Sequence, residues 1–492
     1  MIPAGVRHPS RQDVPVVYDV LIAGLGPVGQ LLANLLGARG MRVLAVDPAS
    51  GPSGQPRAAT TDDRALRVIQ GVGLVEALTA HLVVQPRVSF VSADGRRLTL
   101  LETGPGPNGH PTLVGWHQPG AEKELLAGLG RFPSVRASWD VSVGRLQPTA
   151  DTVRVGLSDG TTVEAAWVVA CDGAGSTVRR LSGIGFAGST FAQRWLVIDT
   201  QVASTPDGLD HVHFIGDPRR PAVTLPTAAG RHRWEFQGDG GVPSASVEGT
   251  LERQAVYEFH ARTADRWRAG RVLLAGDAAH VMPPFGGQGL AEGMRDAANL
   301  AWKLDAVVRG APARLLDTYE AERRPEVRSA TRVARSWGAV LQTRRPRLAH
   351  MRDTLMFTID PTPVGSWLRG RARPQPKLRR GALLQPRRAG VGELFPQPMV
   401  QVTGRRAPLD DVLGPGWAVL GALEESEAAA WSALGARVAG ALDDRDGVIA
   451  EWLERHRATW VALRPDRFAF AAGGPGEAGH AAAAAAAWIA GS

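Results

Sequence analysis

Two apolar runs flank an Ala- and Leu-rich stretch near the start of the chain. The first run covers residues 20–23 and the second covers residues 42–46, and the stretch between them opens with a Gly-rich turn and ends near Ala38. Short buried runs on either side of a helical segment indicate a β-α-β unit over residues 18–47. We therefore expect a parallel sheet that begins here.

The middle of the chain changes to strands without intervening helices. Residues 151–170 alternate apolar and polar positions around the turn Ser158-Asp159-Gly160, which is typical of a hairpin. Between about residues 182 and 258 the pattern is one of short strands broken by Pro and Gly, including 211–215 and 233–236. It predicts a separate antiparallel sheet layer, to which a part of residues 80–118 also contributes.

A buried strand returns at residues 272–275, followed by a loop and a helix over about 290–308, so we expect the first domain to be discontinuous. A basic, Pro-rich helical stretch covers about residues 318–380. The last segment has strands of its own at 417–420 and 460–463, and the alanine run 481–487 favours a terminal helix because alanine is the best helix former.

These patterns predict an α/β protein of three domains. A Rossmann-like domain with connecting helices covers residues 1–181 and 261–380, an antiparallel β-sheet layer for the substrate covers 182–260, and a small C-terminal domain covers 381–492. A chain of 492 residues is long enough for that number of domains.

Composition narrows the classes of protein. We see no apolar run of the roughly 18 to 20 residues that a bilayer-spanning helix needs, and the N-terminus has no apolar stretch of the secretory kind, so we expect no membrane partner and a cytoplasmic location. The net charge of +8 comes mostly from arginines dispersed between about residues 323 and 388. No aromatic residues interleave with them, which indicates a solvated helical surface and not a nucleic-acid site.

The single cysteine, Cys171, rules out an internal disulfide and a Cys-rich metal site. It ends the apolar run Trp167-Val168-Val169-Ala170, which reads as a buried strand. We therefore expect an inert thiol.

Candidate chemistry begins at the turn of the β-α-β unit, Gly24-Leu25-Gly26-Pro27-Val28-Gly29. Its glycines permit the tight turn, the approach of a pyrophosphate and close helix packing, while the helix N-terminus supplies partial positive charge. Pro27 suits the first helical turn. Asp47 closes the second strand, where its carboxylate can accept hydrogen bonds from ribose hydroxyls. An ordinary strand-helix turn is the alternative, and the pattern alone does not separate NAD from FAD.

A second glycine-rich segment favours FAD. The strand at 272–275 ends in Gly276-Asp277, where an aspartate can contact the ribityl chain of a flavin. The run Pro283-Pro284-Phe285-Gly286-Gly287-Gln288-Gly289 then leads into the helix that starts near Leu290. Bare backbone N–H groups and a helix dipole there suit the anionic edge of a reduced flavin ring. A purely structural loop is the alternative.

With these residues in place, the sequence resembles the class A flavoprotein monooxygenases of the para-hydroxybenzoate hydroxylase-like fold. The resemblance is carried by the first glycine motif, Asp172-Gly173 after a strand, and Gly276-Asp277, in this order over about 300 residues. Within that class, residues 275–304 look like those of 3-(3-hydroxyphenyl)propionate hydroxylases and aromatic polyketide hydroxylases. So do residues 195–199, 217–221 and 233–236.

The resemblance implies further site residues. It associates Asp172 with both FAD and NAD(P)H, puts Gln118 beside the flavin, and matches Arg57 to an arginine that contacts the cofactor. The C-terminal segment looks like the thioredoxin-like tail of phenol and polyketide hydroxylases. It has no Cys-x-x-Cys pair, so it cannot be redox-active in that manner, and folding or homodimer contacts are its expected roles.

The resemblance also implies the reaction. NAD(P)H reduces FAD, O2 adds at flavin C4a, and the resulting hydroperoxide hydroxylates a phenolic ring, with no metal and no protein nucleophile. The proposed substrate contacts are Trp195, His211, His213 and Pro284. His211 and His213 share one face of an alternating strand, and solvent exposure is the alternative for both, as core packing is for Trp195.

Other readings stay open. A tailoring oxygenase of an aromatic polyketide or other natural product, and a non-catalytic flavin-binding protein, fit the same motifs. A flavin-dependent halogenase is disfavoured because the Trp-x-Trp-x-Ile-Pro run is missing, and a two-dinucleotide-domain oxygenase because no second glycine unit follows a strand. The stretch of residues 237–258 is shorter and richer in Gly and Ser than the corresponding stretch of the propionate hydroxylases. The sequence leaves open the exact substrate, its regiochemistry, NADH or NADPH, the oligomeric state and any acid or base residue.

Overall fold

The structure, a computed structural model, describes residues 17–238, 240–241, 247–371, 376–402, 404–440 and 442–490. Two eight-stranded sheets form most of it. The strands of the first sheet are Val17–Ala23, Val43–Val46, Val135–Ser138, Val143–Pro148, Val153–Leu157, Thr162–Ala170, Arg268–Ala269 and Val272–Leu274.

The centre of the first sheet is parallel. Val17–Ala23 lies between Val43–Val46 and Thr162–Ala170, and Val272–Leu274 joins on the far side of Thr162–Ala170. The chain thus leaves this sheet after residue 170 and returns to it about a hundred residues later, as the sequence predicts. Because parallel strands end at the same edge, the loops that follow these four strands lie side by side.

The second sheet is antiparallel except for one parallel pair, Arg87–Val91 with Val212–Ile215. Its strands are Arg87–Val91, Arg97–Glu102, Phe186–Gln201, Val212–Ile215, Ala222–Thr227, Arg231–Gln237, Thr250–Ala264 and His280–Val281. The sequence indicates mostly short strands in this region, but Phe186–Gln201 and Thr250–Ala264 are longer, at 16 and 15 residues. The register of this long pair shifts at Thr190/Arg194 and at Asp199/Thr200. Such bulges bend the two strands while they remain paired.

Three smaller sheets complete the strands. They consist of Thr60–Thr61, Leu82–Val84 and Val114–Trp116; of Met399–Val402 and Arg405–Pro408; and of Ala418–Gly421, Arg437–Ala439, Trp460–Leu463 and Ala469–Gly473. The last of these is mixed, with one parallel pair and two antiparallel pairs. The predicted α/β class is confirmed, while the thioredoxin likeness of the tail and the three domain limits stay predictions.

The helices cover the sheets and connect them. They are Pro27–Gly37, Asp63–Gln70, Val75–Leu78, Gln118–Leu129, Thr177–Leu181, Gly289–Val308, Asp317–Leu341, Pro346–Ile359, Pro363–Arg371, Leu409–Leu413, Glu425–Ala433, Val448–Arg455 and Ala478–Ile489, with short 3-10 turns at Thr79–His81, Gly276–Ala278 and Ala313–Leu316. Within the described ranges, none of these helices has the length and apolar character that crossing a membrane would require.

A buried ion cluster joins the C-terminal segment to two of these helices. Arg464, which is 0% exposed, donates to both oxygens of Glu322 at 2.8 and 2.7 Å and to Asp466. Lys303 donates to the same Glu322 at 2.8 Å. Burial alone would raise the pKa of Glu322, but the two cations lower it to about 2. The carboxylate is therefore fully charged, and each partner is needed to compensate the desolvation of the others.

We predict that Arg464→Met destabilises the protein by about 3–5 kcal/mol, because it leaves two buried carboxylates short of a cation. Chemical denaturation monitored by circular dichroism measures this. Glu451→Gln is the matched control, since it removes an exposed helical ion pair with Arg455 and should change the free energy of unfolding by less than about 0.5 kcal/mol. Equal effects of the two substitutions would contradict the prediction.

Candidate active site

A cavity of about 1260 Å³ lies where the ends of the parallel strands face the second sheet. Most of the predicted cofactor residues line it: Gly24, Gly26, Pro27, Val28, Asp47, Arg57, Gln118, Asp172, Asp277, Pro284, Gly286, Gly287, Gly289 and Leu290. The two glycine-rich segments, more than two hundred residues apart in sequence, thus share one cavity. Gly29 and Gly276 are not part of the lining; they pack against Gly24 and Val28, which line the cavity.

The first glycine turn is held by close backbone contacts. Gly24 has φ +102°, and a Cβ there would lie 2.3 Å from the carbonyl oxygen of Cys171. A Cβ at Gly29 would lie 1.9 Å from the carbonyl oxygen of Gly24. Only glycine fits at these two positions. Gly26 differs, because a Cβ there would meet nothing within 4 Å.

Asp47 braces this turn from the second strand. Its Oδ2 accepts a hydrogen bond from the backbone N–H of Leu25 at 2.7 Å, and its Oδ1 accepts one from Ala49 at 2.9 Å. The carboxylate therefore fixes the path of the glycine turn in addition to facing the cavity. Each oxygen keeps a lone pair that could accept from a ribose hydroxyl.

Val28 packs the first glycine turn against the second half of the domain. A Cβ at Gly276 would lie 3.2 Å from the Val28 side chain, and one at Gly293, in the helix Gly289–Val308, only 2.6 Å. Small residues at both positions allow that helix to approach the first turn. The beginnings of the helices Pro27–Gly37 and Gly289–Val308 thus border one cavity, and their partial positive charges act on the same space.

Asp296, which is fully buried, holds the Gly276 segment in place. Its Oδ2 accepts from the Gly276 N–H at 3.0 Å and contacts His280 Nε2 at 2.7 Å, and its Oδ1 accepts from Arg323 at 2.9 Å. Burial would raise the pKa of Asp296, but His280 and Arg323 keep it below its ordinary value. The charged carboxylate orients the turn that presents Asp277 to the cavity. Desolvation by the surrounding protein raises the pKa of Asp277 itself.

The second glycine loop contacts the small three-stranded sheet. Gly287 has φ +63°, and a Cβ there would lie 2.0 Å from the Thr60 hydroxyl. Gly286, at φ +105°, has open space beside it. The loop therefore has one glycine that packs against protein and one that leaves bare backbone facing the cavity.

Gln118 organises the loop that carries Arg57. Its Oε1 accepts from the backbone N–H groups of Arg57 at 3.1 Å and Ala58 at 2.7 Å, and its Nε2 donates to Glu122 at 2.6 Å. Gln118 is 5% exposed, so these bonds occupy most of its polar atoms. The predicted pair Gln118 and Arg57 is thus directly linked.

Arg233 ties the same loop to the second sheet. It donates to both oxygens of Asp199, to the Arg57 carbonyl at 3.0 Å and to the Pro56 carbonyl. Arg253 donates to the Pro56 carbonyl as well, at 3.1 Å, and to Asp199 at 3.3 Å. The sequence reading marked Arg233 and Asp199 only as points of resemblance. No spacing rule connects residues so far apart in the chain.

A dinucleotide fits this half of the cavity. Gly26 and Gly286 leave backbone open where a ligand could approach, and the two helix N-termini suit anionic groups. Asp172 accepts from the Val178 N–H at 3.0 Å through Oδ2, but its buried Oδ1 has no hydrogen-bond partner among the residues described. A bound ligand with a hydroxyl or N–H donor would satisfy that oxygen.

The other half of the cavity is mostly apolar. One face of the second sheet contributes alternate positions of neighbouring strands, and Phe90 stacks on Phe214 and on Trp337, each at 4.8 Å between ring centroids. This face also includes Val88, Leu101, Val212, Val223 and Leu225. Sequence reasoning missed these residues, although their alternation in short strands was the available signal. An aromatic ring fits such a wall.

Three predicted substrate contacts do not reach the cavity. His211 and His213 share one face as expected, but it is the opposite face, since Val212 and Phe214 are the residues that line the cavity. They are not solvent-exposed either, being 6% and 9% accessible. Trp195 is fully buried, and its ring packs on Phe285, with the centroids 5.6 Å apart. Phe285 lines the cavity in its place, and of the four residues only Pro284 does so directly.

Glu235 is an acidic group on the inner face of the second sheet. It lines the cavity, lies opposite Val223 and Val197 in the neighbouring strands, and has a side chain 16% exposed. Burial raises its pKa, against the effect of Arg233, whose Nη1 is 3.9 Å away. Arg233 is already engaged by Asp199, so Glu235 keeps acceptor capacity for a ligand.

Cys171 follows the strand Thr162–Ala170 and lines the cavity wall beside Gly24. Burial raises the pKa of its thiol, with Asp172 adding to the shift. A thiol of this kind is a poor nucleophile, in line with the inert role expected of it.

Comparison with known proteins gives a consistent match. Residues 17–242 and 239–334 match the family described as FAD binding domain, and residues 392–487 match the HcaD C-terminal domain. The chain is 37% identical to a 3-(3-hydroxy-phenyl)propionate/3-hydroxycinnamic acid hydroxylase of Mycobacterium sp. (strain KMS), over 95% of this chain and 90% of that protein.

Two solved structures show the same fold over nearly the whole chain. Anhydrotetracycline hydroxylase from Streptomyces rimosus has a TM-score of 0.78 at 26% identity, over 96% of this chain and 99% of its own. A ternary complex of aklavinone-11 hydroxylase with FAD and aklavinone has a TM-score of 0.78 at 24% identity and the same coverage. The resemblance that the sequence suggested is confirmed.

We predict that Gly26→Ala weakens FAD binding at least about tenfold, or about 1.4 kcal/mol, without unfolding the protein. Its backbone, at φ −69° and ψ −179°, accepts alanine, and the added methyl would occupy only the space meant for the cofactor. Titration of apoprotein by flavin fluorescence measures the affinity, with thermal unfolding as the check on folding. Gly54→Ala, which also adds a methyl in open space but outside the cavity, should bind FAD normally. Unchanged affinity in Gly26→Ala would argue against a pyrophosphate at this turn.

Proposed function

The chain belongs to the FAD-binding-domain family of flavoprotein hydroxylases and is an FAD-dependent aromatic monooxygenase, and we propose that it hydroxylates a phenolic substrate using NAD(P)H and O2. The observation that carries the proposal is the single cavity bordered by both glycine turns on one side and by an aromatic-lined sheet face on the other. A cofactor and an aromatic ring can meet only if their sites share a space.

The residues that would hold FAD fall into two groups. The first turn, with Gly24, Gly26 and the helix from Pro27, would receive the pyrophosphate, and Asp47 the ribose next to it. The second group, Asp277 and the loop of Gly286 and Gly287, would hold the ribityl chain and the flavin ring. Arg57, Gln118 and Asp172 complete the set. FAD, when bound, supplies the redox chemistry by accepting a hydride from NAD(P)H and activating O2 for oxygen transfer.

The protein's own contribution is to bind the ring and keep water away from it. Phe90, Phe214 and Trp337 offer a stacked aromatic wall, and Phe285 closes it from the glycine loop. Such a wall excludes solvent, which limits the unproductive loss of activated oxygen.

Substrate-dependent consumption of NADH and of NADPH tests this proposal. We expect a phenolic compound to stimulate consumption and to yield a product with one added oxygen by mass. One arm uses 3-(3-hydroxyphenyl)propionate and a second uses polycyclic phenols without a carboxylate, so that the two substrate types are separated. Flavin-bound protein that consumes neither reductant with any phenol, or that yields no hydroxylated product, would overturn the proposal.

We propose that Glu235 acts on the phenol, because it is the acidic residue of the cavity lining that lies on the second sheet, beside the aromatic wall. We assign its carboxylate the role of accepting a hydrogen bond, and then the proton, from the phenol O–H as the ring is hydroxylated. Removing that proton makes the ring more electron-rich, and general-base assistance of this kind contributes about 10²–10⁴-fold to a rate. The raised pKa brings the carboxylate closer to neutral pH, where proton acceptors work best.

We predict that Glu235→Gln lowers kcat by about 10²–10⁴-fold with little change in FAD content. In the wild type, activity should rise with pH as Glu235 loses its proton, and this rise should be lost in the variant. Glu258→Gln is the control, because Glu258 is an exposed carboxylate of the same sheet whose partner is Arg194. A variant that keeps full kcat with the wild-type pH profile would exclude Glu235 as the proton acceptor.

A further inference from the structure

The outer face of the second sheet carries a cluster of potential metal ligands away from the active site. His211 and His213 are two positions apart, so their rings project from the same side of the strand, with centroids 4.0 Å apart. Asp210 precedes them, and its Oδ1 lies 2.7 Å from His211 Nδ1. One ligand atom from each of the three residues lies within 4.8 Å of the others.

A second observation points to a ligand at this place. His213 is 9% exposed, and its Nε2 is buried with no hydrogen-bond partner in the part of the chain that the structure describes. A buried polar atom without a partner costs about 1–3 kcal/mol, so such atoms are rare unless a water or an ion satisfies them. A metal ion bound to imidazole nitrogen would remove that cost.

The surrounding groups limit what the cluster can bind. Ser89 Oγ lies 2.6 Å from His211 Nε2, and His232 beyond it contacts the Thr224 hydroxyl at 2.6 Å. Arg87 donates to Asp210 Oδ2 at 2.8 Å, so Oδ1 is the oxygen that would bind a metal, in exchange for its contact with His211 Nδ1. This arginine weakens the attraction for any cation, so we expect micromolar affinity and not the tighter binding of a site closed by four protein ligands.

The types of ligand in the cluster suit a metal. Two imidazoles and one carboxylate form a ligand set typical of Zn²⁺, with a fourth position for water or the Ser89 hydroxyl.

The hydrogen bonds of Ser89 to His211 and of His211 to Asp210 also resemble those of a hydrolytic triad. Ser89 is 2% exposed in the middle of the strand Arg87–Val91, and it does not line the large cavity. A substrate carbonyl could not reach its hydroxyl, so nucleophilic chemistry is excluded on access.

We propose that Asp210, His211 and His213 form a binding site for a divalent transition-metal ion such as Zn²⁺, on the face of the second sheet opposite the active site. Its role is structural, because Val212 and Phe214, which alternate with the ligands along the strand, line the cavity. An ion on the outer face would fix the strand that forms this wall. The expectation that the reaction itself uses no metal is unaffected.

Titration with Co²⁺ tests this proposal on the untagged full chain after treatment with a chelator. We expect one Co²⁺ per chain with the visible absorption bands of a nitrogen and oxygen site, displaced by Zn²⁺, and a higher melting temperature with Zn²⁺ present. Loss of a ligand should weaken binding at least about tenfold, since even residues behind the ligands cost that much.

Two variants and a control make the outcome decisive. His213→Gln removes the buried ligand, and Asp210→Asn neutralises the ligand whose side chain is 55% exposed, where we expect a smaller effect on folding. His350→Gln, an exposed histidine of the helix Pro346–Ile359, should bind like the wild type. No stoichiometric binding to the wild type, or binding that is equally strong in Asp210→Asn, would overturn the proposal whether or not His213→Gln folds.

Discussion

The backbone of Gly24 lies so close to the carbonyl of Cys171 that no side chain fits between the ends of the strands Val17–Ala23 and Thr162–Ala170. This contact, with the one between Gly29 and the Gly24 carbonyl, sets where the helix Pro27–Gly37 begins and which way its N-terminus points. Val28 then lies against Gly276 and Gly293, so the position of the first turn also sets that of the second glycine loop. The cofactor half of the cavity follows from these backbone contacts.

Buried charges extend that arrangement to the apolar half of the cavity. Asp296 binds the Gly276 turn through one oxygen and Arg323 through the other, while Arg233 and Asp199 hold the loop of Arg57 to the second sheet. Each of these charges is desolvated, and its partners compensate for that cost. Such pairs add little net stability, so their main effect is to fix the geometry. The glycine turns and the aromatic wall are thereby kept at a fixed separation.

The sequence was most informative where local chemistry decides the structure. Glycine motifs after strands, and long periodic helices, predicted the first turn, the Gly286 loop and the helix Gly289–Val308 almost to the residue. It was least informative about the face of a sheet from which a side chain projects. Alternation showed that His211 and His213 share a face but not which face, because this depends on what covers each side of the sheet. Partners such as Asp296 and Arg323 are set by tertiary packing, which no spacing reveals.

We propose that one cavity brings a flavin and a phenolic ring together for oxygen transfer. Turnover under oxygen-18 gas, with the product analysed by mass spectrometry, measures where the added oxygen comes from. We expect each product molecule to carry one oxygen-18 atom from the gas and none from water. Product oxygen derived from water, or reductant consumed with only hydrogen peroxide formed for every phenol tried, would contradict it.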